Sequence, residues 1–284
     1  MTWIAAVARL RARRESGVLV TVATVRGHAP REAGAKLVVG HSETWGSIGG
    51  GNVEAVAIDR AREMLAAGEA AAGEVVTAKA VTAKAEPELM DFALNDKVTN
   101  QHGVQCCGGT VSILLEPLPV VRAVAVFGVG HVGLELARIL ARQDLDLHLI
   151  DSREDMLTDT RLDALSDAVA QLHVHHTPLL PEEILDDLPR GTHILIMTHD
   201  HAEDAALCDA ALRTTHLGSV GLIGSAAKWA RFRKRLATEG GHDDVAIDRI
   251  KTPIGLSDIT GKEPATIAVS VAADLLRTFE NEGE

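Results

Sequence analysis

The second half of the chain alternates short apolar runs with longer amphipathic stretches. The apolar runs have the length and β-branched content of buried strands, and they lie at 123–127, 146–150, 169–174, 193–198 and 219–223. Between them, apolar residues recur at helical spacing, notably over 132–142, 202–213 and 226–238. Because strands that alternate with helices favour a parallel sheet covered on both faces, we predict a doubly wound α/β domain here.

The first half has a less regular pattern. β-branched or apolar runs predict strands at 18–25, 36–40, 74–85 and 110–115. A glycine-rich loop at 47–51 precedes a helix. One face of this helix is apolar and consists of Val53, Val56, Ala57, Ala61, Met64 and Leu65. We therefore predict a mixed α/β module.

Two closely spaced prolines, Pro117 and Pro119, mark an extended connection between these halves. With 284 residues the chain has the length of two domains. We place the first domain at 1–116, a linker at 117–122 and the second domain at 123–284. A last helix is predicted at 264–280, and the pattern leaves open on which domain it packs.

Composition and charge narrow the function classes. The net charge of −12 and an aromatic content of 2% argue against a nucleic-acid partner, because phosphate would be repelled and few rings are present for stacking. No apolar run is long enough to cross a membrane. Three cysteines cannot form a disulfide framework, and no secretory leader pattern is present. We therefore expect a cytoplasmic protein.

A glycine fingerprint follows the first strand of the second half. Gly128 permits the tight turn, Gly130 permits close approach of a diphosphate, and Gly133 permits packing of the helix on the strand. The next predicted strand leads to Asp151, which we expect to accept hydrogen bonds from a ribose diol and to disfavour a 2′-phosphate. These features predict a Rossmann-like domain that binds a nucleotide such as NAD. Alternatively, the glycines serve packing alone.

Cys106 and Cys107 are adjacent and are followed by two glycines. Neighbouring side chains of an extended chain point in opposite directions, so the pair is unsuited to one structural zinc site. An accessible thiolate can instead bind a soft metal or carry sulfur as a persulfide. The other interpretation is that one of them is a small buried apolar residue, as we predict for Cys208.

The loop before the helix of the first domain is a second candidate for anion binding. The backbone amides of Gly49, Gly50 and Gly51 can hold a phosphate, and Asn52 is a candidate N-cap. A capped helix after a flexible loop is the alternative.

Two clusters of polar residues in the second half are further candidates for contact with a ligand. His199, Asp200 and His201 follow a predicted strand, where ligands bind in doubly wound sheets, and we expect them to line the cleft. A basic cluster lies on the predicted helix 226–238 and faces either an anionic ligand or solvent. It consists of Lys228, Arg231, Arg233, Lys234 and Arg235.

In combination, these segments resemble the XdhC-type xanthine dehydrogenase accessory proteins of the XdhC/CoxI family. The similarity covers nearly the whole chain. Two of its segments have the sequences SIGGGNVE (47–54) and QCCGG (105–109). The others, in chain order, are 30–36, 126–133, 198–201, 221–225, 228–232, 252–256 and 261–265.

The resemblance implies a molybdenum cofactor chaperone without enzymatic turnover of its own. Such proteins bind the molybdopterin cofactor, support its sulfuration with a cysteine desulfurase, and deliver it to the molybdenum subunit of xanthine dehydrogenase. Cys106 or Cys107 would then contact molybdenum, and Arg31 and Lys36 would neutralise the pterin phosphate. A homodimer is expected from the family. This chain has Asn52 at a position where some relatives, including the CoxI-like branch, carry Cys. The difference favours xanthine dehydrogenase over carbon monoxide dehydrogenase as the client.

Two other function classes remain open. The first is an NAD-dependent oxidoreductase, supported by the glycine fingerprint and Asp151, with His199 and His201 as candidates for proton transfer. The second is an interaction scaffold that recruits the client enzyme and carries no cofactor.

Overall fold

The computed structural model describes residues 1–70, 86–94 and 109–283, with side chains at all of these except 68–70 and 282–283. The strand predicted at 74–85 and the pair Cys106–Cys107 lie outside the described residues. The described chain divides into two compact units, one ending at Val120 and the other beginning at Val121.

The first unit is an antiparallel five-stranded sheet in the order β3-β2-β1-β5-β4. Its strands are β1 Gly17–Gly27, β2 Lys36–Val39, β3 Thr44–Gly46, β4 Glu88–Leu94 and β5 Gly109–Leu118. Its helices are α1 Trp3–Arg13 and α2 Gly51–Ala70. β5 continues to Leu118, so the first residues of the predicted linker pair with β1.

Alternation along the strands gives this sheet two apolar faces. Val18, Val20 and Val22 of β1 pack against α2, while Leu19 lies on the opposite face with Leu10 of α1. All of the predicted apolar face of α2 is buried except Val56. The sequence pattern did not predict α1, although Thr2 caps it by accepting a hydrogen bond from the Ala5 amide (3.3 Å).

The second unit is a parallel six-stranded sheet, as predicted, in the order β11-β10-β9-β6-β7-β8. Its strands are β6 Ala123–Phe127, β7 Asp146–Asp151, β8 Gln171–His176, β9 His193–Ile196, β10 Val220–Leu222 and β11 Ile250–Lys251. Its helices are α3 His131–Leu140, α4 Asp159–Leu162, α5 His201–Arg213, α6 Ala226–Thr238, α7 Asp244–Ile247 and α8 Pro264–Gly283. Short 3₁₀ turns lie at Glu154–Met156, Asp163–Leu165 and Pro181–Asp186.

Helices cover both faces of this sheet, which confirms the doubly wound prediction. Leu136 and Leu140 of α3 pack with Val271 and Leu275 of α8 on one face, and α5 and α6 cover the other. The last helix therefore packs within the second unit. Its end is held by Arg122, whose guanidinium donates to the Phe279 carbonyl (2.6 Å).

The strand order places a topological switch point between β6 and β9. The chain leaves β6 toward β7 and β8, and then returns to the other side of β6 to form β9 and β10. In doubly wound sheets, ligands bind outside the carboxyl ends of the strands at this position.

Candidate functional site at the switch point of the second unit

Two of the three fingerprint glycines are required by packing. Gly128 has φ +99°, and a Cβ there would lie 2.4 Å from the Met197 carbonyl oxygen. A Cβ on Gly133 would lie 2.0 Å from the Gly128 carbonyl oxygen. Gly130 differs, because the nearest atom to its added Cβ is Arg153 Nη2 at 3.9 Å. The turn is therefore closed against its neighbours at Gly128 and open above Gly130.

The carboxylate of Asp151 is bound within the protein. Its Oδ2 accepts from the Val129 amide (2.7 Å) and from Arg153 Nη2 (2.9 Å). Its Oδ1 accepts from the Arg153 amide (3.0 Å) and Arg153 Nε (2.9 Å). Burial opposes the charged form, but the hydrogen bonds from Arg153 and Val129 outweigh it and lower the pKa of Asp151. The predicted ribose contact would require displacement of Arg153.

Two arginines that the sequence analysis did not single out lie at the glycine loop. Arg153 binds Asp151 as described, and Arg161 Nη2 donates to the Val129 carbonyl (3.0 Å). Both follow β7 on the segment that leads away from the sheet. The sequence did contain a signal for Arg153, because this arginine lies only two residues after Asp151, the acidic residue that ends β7.

The loop after β9 contributes the second side of the crevice. Asp200 caps α5 by accepting from the Ala202 amide (2.6 Å), and His199 and His201 are exposed. Glu203, also not predicted, accepts a hydrogen bond from Ser152 Oγ (3.0 Å) after β7. Burial, together with the charges of Asp151 and Asp204, raises the pKa of Glu203 despite the Ser152 hydrogen bond and the nearby His199.

These contacts unite part of the predicted site. The glycine loop, Asp151 and the residues after β9 meet at one edge of the sheet, because the Ser152–Glu203 hydrogen bond joins the loops after β7 and β9. Within the ranges that the structure describes, no group of three or more His, Cys, Asp or Glu side chains is arranged to hold a metal ion.

The interpretation of Lys228 as part of a basic surface is wrong. Lys228 is buried, and its Nζ lies 2.5 Å from Asp204 Oδ2 and 3.0 Å from the Ile223 carbonyl oxygen. Asp204 Oδ1 in turn accepts from the Thr198 amide (3.1 Å) and hydroxyl (2.8 Å). This network ties α5 and α6 to the loops after β9 and β10.

The glycine loop of the first unit donates hydrogen bonds to the carboxylate of Glu54. Glu54 Oε2 accepts from Ser47 Oγ (2.6 Å), the Ile48 amide (2.8 Å) and the Gly50 amide (3.0 Å). α2 already begins at Gly51, so Asn52 is a buried residue inside the helix and does not precede it as an N-cap. The amides that were predicted to hold a phosphate are therefore partly used by Glu54.

The two predicted cations of the first unit have different surroundings. Arg31 lies beside the loop, with its Cγ 3.5 Å from the Cβ position of Gly49. Lys36 Nζ donates to Thr21 Oγ1 (2.8 Å) and lies 5.3 Å from the centre of the Trp3 ring on α1. Arg31 thus lies beside the loop, whereas Lys36 is bonded on the face that α1 covers.

Glu54→Gln is expected to lower the free energy of unfolding of the first unit by about 1.5–3 kcal/mol, the range for hydrogen bonds to a charged group. Burial favours the neutral acid, but the donors from Ser47, Gly50 and Ile48 outweigh it and lower the pKa of Glu54. The stabilisation is therefore complete above the unfolded pKa of about 4.3 and is lost as the pH falls through the folded pKa.

Urea unfolding between pH 3 and pH 7 measures this effect, with exposed Glu15→Gln as the control. A Glu54→Gln variant that is as stable as the control at neutral pH would contradict the assignment.

Sequence comparison assigns this architecture to a family. Residues 124–275 match the model of the XdhC Rossmann domain, and residues 10–89 match the model of the XdhC and CoxI family. The chain belongs to the XdhC family. Membership confirms the resemblance to the XdhC/CoxI family that was drawn from the motifs.

Individual relatives are distant. The chain is 23% identical over 256 residues to the uncharacterized protein YqeB of Escherichia coli strain K12, covering 90% of the chain but only 42% of YqeB. A crystal structure of a xanthine dehydrogenase from Bacillus halodurans is 18% identical, with 99% and 96% coverage and a TM-score of 0.46. The tRNA N6-threonylcarbamoyladenosine dehydratase TcdA of Escherichia coli is 14% identical, with 57% and 87% coverage and a TM-score of 0.43.

No helix in the described ranges has both the length and the hydropathy that a membrane-spanning helix requires.

Proposed function

We propose that this XdhC protein binds the molybdenum cofactor as cargo, protects it during sulfuration and delivers it to xanthine dehydrogenase. The observation that carries the proposal is the match of both halves of the chain, in order, to the two XdhC family models. In this proposal the protein has no turnover of its own. Its partners are the molybdenum subunit of xanthine dehydrogenase and a cysteine desulfurase, and it acts as a homodimer.

The chemistry of the residues fits such a cargo. Molybdenum is thiophilic, which suits the thiolate of Cys106 or Cys107 as a ligand. The pterin carries a phosphate, and the loop above Gly130 is open and adjoins the guanidinium of Arg153. The thiols and the guanidinium therefore have the chemistry that the metal and the phosphate of such a cargo require.

The alternative of an NAD-dependent oxidoreductase is less well supported by the same site. A ribose diol needs acceptor oxygens that face it, whereas both oxygens of Asp151 are bound to Arg153 and Val129. The glycine fingerprint remains its main support.

The test is the cofactor content of protein purified from molybdenum-replete cells. We expect molybdenum and pterin to copurify with the wild type and to be lost from Cys106→Ala/Cys107→Ala. Cys208→Ala is the matched control, because burial raises the pKa of that thiol to about 12 and keeps it away from ligands.

Two results would oppose the proposal in different ways. Wild-type protein without pterin and molybdenum would refute cofactor binding itself. Unchanged content in the double variant would refute the role of the adjacent thiols.

A further inference from the structure

The Asp151–Arg153 pair determines which ligand the loop at Gly130 can receive. Asp151 has only 2% of its surface exposed, and the hydrogen bonds described above occupy both of its oxygens. Recognition of an unsubstituted ribose depends on a carboxylate that accepts from its two hydroxyls. As placed here, Asp151 has no oxygen available for that purpose.

Arg153 presents the opposite chemistry to a ligand. Its Nε and Nη2 are bound to Asp151, and 31% of the side chain is exposed. Within the described part of the chain, Nη1 makes no hydrogen bond. Because Asp151 holds the guanidinium in one orientation, little side-chain freedom remains to be lost when an anion binds.

The position of this guanidinium relates it to the glycine loop. Nη2 is the nearest atom to the open space above Gly130, at 3.9 Å from the Cβ position. A ligand that lies on Gly130 therefore lies beside Arg153. Arg161 adds a second guanidinium at the same loop through the Val129 carbonyl.

Acidic groups near Arg153 oppose the binding of an anion at the loop. The hydrogen bonds to Asp151, together with the charges of Asp151, Asp155 and Glu203, outweigh burial and raise the pKa of Arg153. Glu203 is half-buried and hydrogen-bonded to Ser152, which turns part of its carboxylate toward the loop after β7. Two guanidiniums, Arg153 and Arg161, therefore stand against three carboxylates, so the loop offers oriented guanidinium donors and no net positive charge.

We propose that Arg153 makes the glycine loop of the second unit a subsite for a phosphomonoester and prevents binding of an unsubstituted ribose diol. This reverses the expectation from sequence that Asp151 disfavours a 2′-phosphate. It rests on the proposed function in one respect, since the terminal phosphate of the pterin is such a group. The 2′-phosphate of NADP has the same chemistry.

The test is calorimetric titration of the full chain with three probes: molybdenum cofactor, NADP and NAD. We expect at least one phosphomonoester probe to bind more tightly than NAD. Arg153→Ala is expected to weaken that probe at least tenfold, because a charged hydrogen-bond donor beside the loop is lost. Exposed Arg138→Ala on α3 is the matched control and is expected to change nothing.

A second variant covers loss of stability. Arg153→Ala leaves Asp151 buried without its cation, so Asp151→Asn/Arg153→Ala removes the charge as well and is titrated in parallel. In Arg153→Ala alone, the freed carboxylate is expected to strengthen NAD binding, and the double variant is expected to lack this gain. A residue with only a structural role would not produce that difference.

The outcomes separate this inference from the proposed function. NADP binding that depends on Arg153, without cofactor binding, supports the subsite and refutes the proposed function. Cofactor binding that is unchanged in both Arg153 variants, without NADP binding that depends on Arg153, supports the proposed function and overturns the subsite. Wild-type binding of NAD at least as tightly as both phosphomonoester probes also overturns it.

Discussion

Lys228→Met is expected to lower the free energy of unfolding of the second unit by about 3–5 kcal/mol, the cost of leaving a buried charge without its partner. Asp204 is 1% exposed, and Lys228 Nζ is the cation bound to its Oδ2. The Ile223 carbonyl loses a donor in the same variant. Urea denaturation followed by circular dichroism measures the change.

Two further variants identify the cause. Lys228→Met/Asp204→Asn removes both charges and keeps an acceptor for Thr198, so it is expected to recover most of the loss. Lys234→Met on the same helix removes an exposed cation and is expected to stay within about 0.5 kcal/mol of the wild type. Equal effects of Lys228→Met and Lys234→Met would contradict the buried pair.

Gly128→Ala is expected to cost at least about 2 kcal/mol, from the strained backbone conformation and from overpacking. The residue has φ +99°, and its new Cβ would lie 2.4 Å from the Met197 carbonyl oxygen. Since that oxygen belongs to the segment after β9, the clash acts across the switch point. Thermal and urea unfolding of the variant measure the loss.

Gly130→Ala is the matched control in the same turn. Gly130 has φ −70°, which any residue adopts, and no atom lies closer than 3.9 Å to the added Cβ. Its free energy of unfolding is expected to change by no more than about 1 kcal/mol, close to the ordinary effect of Gly→Ala outside a helix. Comparable losses in both variants would contradict the contrast between close packing at Gly128 and open space at Gly130.

The local signals in the sequence predicted the second unit well. Alternating apolar runs and helical stripes correspond to β6, β7, β9 and β10, to α3, α5 and α6, and to the buried face of α8. β8 is displaced to 171–176 because the amides of Val169 and Ala170 bond to the Ala141 carbonyl before the strand begins. β11 has only two residues, which is too short for any periodicity.

The roles of individual polar residues were harder to predict, because they depend on contacts between distant segments. From the sequence of its own helix, Lys228 cannot be distinguished from a surface cation, because its partner Asp204 lies on the neighbouring helix α5. Glu54 follows the glycine loop by a few residues, and its capping role depends on the turn folding back onto it. Arg153 likewise gains its significance from the Asp151 carboxylate that it covers.

The central claim, that this XdhC protein carries a molybdenum cofactor for xanthine dehydrogenase, is tested most directly by a transfer experiment. Protein purified from molybdenum-replete cells is incubated with cofactor-free xanthine dehydrogenase, and the molybdenum and pterin on each protein are measured after separation. The account predicts that the XdhC protein loses both while the enzyme gains both and becomes active. Retention of the cofactor on the XdhC protein, or its absence there from the start, would contradict the account.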